Sequence, residues 1–144
     1  MSDGFDLDEL LGALDNDDNE VLLDTDLDSV IRDREAMLAK LGLADDELAA
    51  MSAKLENYRY VDEAHELRYG AYVRWVPLRN PNNIRLTNGG IVCDMQVHDD
   101  GIHIVCRNNM HRMFQVRTSE CLVFQKMTDQ ERILLSVMSH LNDV

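Results

Sequence analysis

Residues 91–118 read IVCDMQVHDDGIHIVCRNNMHRMFQVRT, three runs of alternating apolar and polar residues separated by two polar turns. A period of two is the mark of a strand with one buried face, and His98–Gly101 (HDDG) and Asn108–His111 (NNMH) have the residue types that reverse a chain. The alternation predicts strands over 91–97, 102–107 and 113–118. It puts Ile91, Cys93, Met95, Val97, Ile102, Ile104, Cys106, Phe114 and Val116 on the inward face, with Asp94, Gln96, His103, Arg107, Gln115 and Arg117 on the other. A four-residue loop between the first two strands pairs Val97 with Ile102 and sets Cys93 directly opposite Cys106.

The same period extends outward from this stretch. Upstream, Ala71–Val76 (AYVRWV) alternates and stops at Pro77; Arg79–Asn83 is a loop by composition, Ile84–Leu86 a short strand, and Asn88-Gly89-Gly90 a turn. Downstream, Leu122–Lys126 is a last strand with Leu122 and Phe124 inward and Gln125 outward. Thr128 and Glu131 then form a capping box, and Ile133, Leu134, Val137, Met138 and Leu141 give the following helix a broad apolar face. Five or six short strands with short connections predict a small, strongly bent antiparallel barrel over 69–144, closed by the C-terminal helix, because a flat sheet this small leaves too much edge uncovered. That segment is expected to fold alone.

Before Gly70 the period is 3.6. Thr25 as N-cap, with Asp28 three residues on, predicts a helix over 26–41 that stops at Gly42. A second starts near Ala44–Asp46 and runs through Leu48, Met51 and Leu55 to Tyr58. Residues 25–68 are thus expected to be a helical hairpin. The first 24 residues hold nine acids and no Lys or Arg, and are expected to be a disordered acidic arm with one short amphipathic helix. In that helix Leu7, Leu10, Leu11 and Leu14 recur at i, i+3, i+4 and i+7, with Phe5 just before them. The stripe either packs back on the chain or docks into an apolar, basic-rimmed groove of a partner. The fold class is α+β.

Charge divides the chain as the periods do. Residues 1–70 carry 20 Asp/Glu and 6 Lys/Arg, a net of −14, while 71–144 carry 7 and 8, a net of +1, so the whole-chain charge of −13 belongs to the N-terminal half. Three cysteines without tight spacing are not a disulfide framework. No apolar run approaches the roughly 20 residues of a membrane helix, and the acidic N-terminus is unlike a secretory signal. The expectation is a cytoplasmic or nuclear protein that is neither secreted nor membrane-bound. No metal-ligand spacing, phosphate-binding glycine loop or nucleophile constellation is present, so no cofactor, no metal site and no enzymatic activity are expected. The expected function is that of an adaptor or protein-interaction module, whose partner is another protein or a second copy of the chain. Phe5, Leu7, Leu10, Leu11 and Leu14 are its candidate docking residues, and Tyr72, Arg74, Trp75, Arg107, Arg112 and Arg117 its candidate barrel surface, with Arg79 and Arg85 nearby. The alternative is a nucleic-acid-binding protein that uses the same arginine face.

Gly70–Trp75 (GAYVRW), Leu86–Ile91 (LTNGGI) and Phe124–Thr128 (FQKMT) resemble small uncharacterised β-barrel proteins encoded by large double-stranded DNA viruses. The resemblance covers residues 69–141, and more loosely the SH3 or Tudor class of small barrels. It implies a binding module in the cytoplasm of an infected host cell, with a role in virion structure or viral gene expression.

Overall fold

The computed structural model describes residues 7–15 and 25–143. In chain order they form α1 (Leu7–Asp15), α2 (Leu27–Ala39), α3 (Asp45–Lys54), β1 (Tyr58–Val61), a 3-10 turn (Ala64–Glu66), β2 (Tyr72–Pro77), β3 (Gly90–His98), β4 (Gly101–Arg107), β5 (Met113–Arg117), a second 3-10 turn (Thr118–Glu120), β6 (Cys121–Lys126) and α4 (Asp129–Asn142). The strands make one antiparallel sheet in the order β1-β6-β2-β3-β4-β5.

Strand β6 lies between β1 and β2, and its sequence suits that place. Leu122, Val123, Phe124 and Gln125 are buried in succession, as a strand covered on both faces requires. On one face Val61, Leu67, Val73, Trp75, Val92, Ile104, Cys106, Val116 and Val123 form a core. On the other, the α2–α3 hairpin brings Leu38, Met51 and Leu55 down on Tyr58, Val76, Leu122 and Phe124. A third cluster joins Ala13 of α1, Val30 of α2, Met127, and Leu134 and Leu135 of α4. No helix among the described residues is long and apolar enough to cross a membrane.

The sheet is open, not the closed barrel expected from its size. It nevertheless curls: the rings of Trp75 on β2 and Phe114 on β5 have centroids 6.5 Å apart, although three strand spacings in a flat sheet would separate them by about 14 Å. Closure is prevented because β1, the strand at the far end, is already walled by α2. The Arg34 guanidinium of α2 donates to the carbonyls of Glu56 and Tyr58 at 3.0 and 3.2 Å. Pairing between β2 and β3 spans only Tyr72–Ile91 and Val73–Gly90. There Gly89, at φ +83°, lies so close to β2 that a Cβ would fall 2.1 Å from the Val73 carbonyl oxygen.

Several local expectations are corrected. The second helix ends at Lys54, and Tyr58-Arg-Tyr-Val61, aromatic and β-branched, forms β1. The segment 25–68 therefore contributes a strand to the sheet, where β1 pairs with β6. Ile84–Leu86 is not a strand; instead the Thr87 N–H donates to the Trp75 carbonyl, while the Trp75 N–H donates to the Thr87 hydroxyl. The N-cap of α2 is Asp26, not Thr25, because its carboxylate accepts from Ser29 N at 2.8 Å and from Asn142 Nδ2 of α4 at 2.6 Å. The β3–β4 register is as expected from His98 back to Asp94, but a bulge at Cys93 then shifts Val92 opposite Cys106. Cys93 is consequently exposed and Val92 buried, and inward-facing Val97, beyond the end of the core, is 84% exposed.

A fragment of residues 69–144 should lose cooperative unfolding in urea, since without β1, α2 and α3 the Leu122 and Phe124 face of β6 is bare; a sharp transition would show that the fragment is autonomous. Hydrogen bonds from the Ser29 backbone, Asn142 and the Ser29 side chain, in that order, hold the Asp26 carboxyl below its ordinary range. A depressed carboxyl stabilises the fold above its unfolded value near about 4, and that contribution disappears as pH falls through the lower folded value. Asp26→Asn should thus lower thermal stability at neutral pH and flatten the acid limb of the stability curve.

Candidate functional site

Helix α1 is held against α4, but not by the residues that its leucine pattern picks out. Ala13 is fully buried and Leu10 half-buried, whereas Leu7, Leu11 and Leu14 are 67%, 50% and 50% exposed. The helix therefore uses its smallest apolar side chain for close approach and presents three leucines at i, i+4 and i+7 to solvent. Phe5 lies outside the described residues. Ala13 was missed because alanine carries little weight in an apolar pattern dominated by leucines.

The candidate barrel-surface residues separate. Trp75 is in the core, 8% exposed, since β2 directs Val73 and Trp75 to the same inner face. Tyr72 is half-buried and its hydroxyl donates to the Asn88 carbonyl at 2.6 Å, while Arg74 Nε donates to the Thr87 carbonyl at 2.8 Å. These two brace the 86–90 turn. Arg107, Arg112 and Arg117 are exposed, around β4 and β5. Arg117 is shared between Asp100 at 4.0 Å and Glu120 at 3.6 Å. A separate cleft of about 590 Å³ is lined by Arg79, Arg85, Asn80, Asn83 and Asn88, among others.

A polar cluster on the outer face of the β3–β4 hairpin escaped the sequence reading. His103, assigned outward by alternation, does face that side but is only 5% exposed because its neighbours cover it. Its Nε2 bonds to Asp100 Oδ1 at 2.8 Å, Gln115 Nε2 lies 2.8 Å from its Nδ1, and the His98 ring stacks on it at 3.9 Å. With Nδ1 accepting from the Gln115 amide, the Nε2 proton is donated to Asp100. The hydrogen bond from His103 lowers the Asp100 carboxyl pKa. The register itself held the signal: His98 pairs with Gly101, which makes His103 its diagonal neighbour. Among the described residues no group of three or more His, Cys, Asp or Glu is placed to hold a metal ion.

Compared with protein-family models, with curated proteins and with solved structures, the chain matches none. Its chemistry must be argued from its own residues. The thiols are unlike one another: burial, then the nearby Cys93, pushes Cys106 up to about 12, and burial, then Glu120, pushes Cys121 up to about 11. At pH 8 only a minute fraction of either is thiolate, whereas Cys93 is exposed on its bulge. Iodoacetamide on the folded protein should modify Cys93 first and leave Cys106 intact until denaturant is added, as read by peptide mass; early labelling of Cys106 would contradict the packing of β4.

Proposed function

We propose that the protein is a non-enzymatic interaction module that docks a partner protein through the Leu7, Leu11 and Leu14 face of α1. One observation carries this reading. The helix is already fixed to α4 by Ala13, yet its three large apolar side chains remain outside the core. A helix docked in this way offers its apolar anchors with little ordering left to do on binding. The nine acids of residues 1–24, unaccompanied by Lys or Arg, specify the complement: an apolar groove rimmed by basic side chains.

The resemblance of residues 69–141 to small barrel proteins of large DNA viruses supports a place for such a module in virion structure or viral gene expression inside a host cell. The alternative reading is nucleic-acid binding. It is favoured by the cleft at 77–88, whose wall carries two arginines and three asparagines, with Arg79 also 3.8 Å from Glu120.

Replacing Leu7, Leu11 and Leu14 together by alanine tests the proposal, because exposed positions alter stability by only about 0.5 kcal/mol each or less. The triple variant should melt with the wild type and lose a binding partner that the wild type retains in a salt-sensitive manner. Ala13→Glu, which places a charge in the α1–α4 contact, should release the helix and weaken the same interaction. Equal retention of every partner by wild type and triple variant would overturn the reading.

A further inference from the structure

The two ends of the sheet are treated differently. At β1 the outer edge faces α2, and buried Arg34 occupies carbonyls of the strand and of the turn before it. Among the described residues β5 is hydrogen-bonded to β4 alone, and no helix makes more than marginal contact with it. Such an edge displays a row of unpaired backbone N–H and C=O groups, and a protein must either protect it or use it. Of the usual protections β5 has neither proline, lysine nor bulge; it is short and its one charged residue is Arg117, while Met113 and Phe114 are 56% and 41% exposed.

We propose that the outer edge of β5 accepts an extended strand from a partner protein in which apolar and acidic residues alternate. Period-two geometry puts Phe114 and Val116 on the core side of the sheet, and Met113, Gln115 and Arg117 on the other side with His103 and Arg107 of β4. An added strand would thus meet the rim of the core through every second side chain and the arginines through those between. Charge selects an acidic partner. From Gly101 to Ser119 there is no Asp or Glu, whereas Arg107, Arg112 and Arg117 all lie there, in a chain whose net charge is −13. Among the described residues neither Arg107 nor Arg112 forms an ion pair, so both are free to take a carboxylate.

A second copy of the chain suits the edge less well. Self-pairing would set against this edge a strand that carries Arg117 and no Asp or Glu, so a second copy brings none of the carboxylates that the arginines can take. For a nucleic-acid strand the largest stacking ring of the chain, Trp75, is inside the core. This edge is separate from the leucine face of α1, so either surface can fail without the other.

The test uses the full chain and a short fluorescent peptide of alternating valine and glutamate, read by anisotropy and by amide hydrogen exchange. The peptide should bind and slow exchange within 113–117. Arg107→Glu with Arg112→Glu, at two exposed positions outside the core, should weaken binding roughly tenfold or more. Methylation of every backbone nitrogen of the peptide should abolish binding, and a peptide of the same composition with its glutamates in one block should bind far less well. The triple leucine variant of α1 should bind the alternating peptide as the wild type does. Equal binding of the methylated or block peptide, protection outside 113–117, tighter binding of polyuridine than of the peptide, or a dimer of the free chain protected at 113–117 would each overturn the proposal.

Discussion

The carboxylate of Glu131, 2% exposed, ties the helical layer to the sheet. One oxygen takes the Arg68 guanidinium at 2.6 Å and the Thr128 N–H at 3.1 Å; the other lies 3.7 Å from Nε of Arg59, itself 4% exposed on β1. Arg59 also donates to the Glu66 carbonyl, while Gln125 in the middle of β6 donates to that same carbonyl and accepts from Arg68 N–H. A single buried carboxylate therefore starts α4, fixes the 66–68 connection and neutralises β1. Taking two charges out of water is costly, and the arrangement is tolerable only because nearly every lone pair and proton has a partner. Without Glu131, buried Arg59 would keep only the Glu66 carboxylate, 3.3 Å away, as its counter-charge.

This network also explains which parts of the fold the sequence makes legible. Local rules found β2 through β6 and α4, because each carries its own period and its own turn or cap; the Thr128–Glu131 capping box is observed in full. What they could not find is long-range. Arg59 among hydrophobic neighbours reads as a solvated residue until Glu131, far along the chain, is brought beside it. The second helix was therefore expected to run on to Tyr58, where β1 in fact begins. The Cys93 bulge is equally invisible to alternation, since one extra residue inverts the phase of the strand beyond it. On the candidate site, the leucine stripe was visible as a pattern. Its exposure depends on Ala13, whose role exists only once α4 is in place.

Charge and edge chemistry share one logic across the molecule. Arginines inside the structure are consumed by carbonyls and carboxylates, as Arg34 and Arg59 are, and they shield β1. Those around β5 remain outside. The acidic half and the arginine-bearing edge consequently present opposite potentials to solvent from one chain, a distribution that favours oriented encounters over indiscriminate ones.

The position of β6 has a consequence for the order of events during synthesis. Of the described strands it is made last and yet stands between β1 and β2, so this sheet cannot be assembled in the order in which its strands emerge. Until residues 121–126 are available, β1 has no partner and Tyr58 and Val76 have no Leu122 or Phe124 to cover them. The growing chain can hold its helices and the local β3–β4–β5 hairpins, but the halves join only when the final strand is inserted. Its folding should be slow for its size, as high contact order dictates, and completed after translation of the strand rather than along with it.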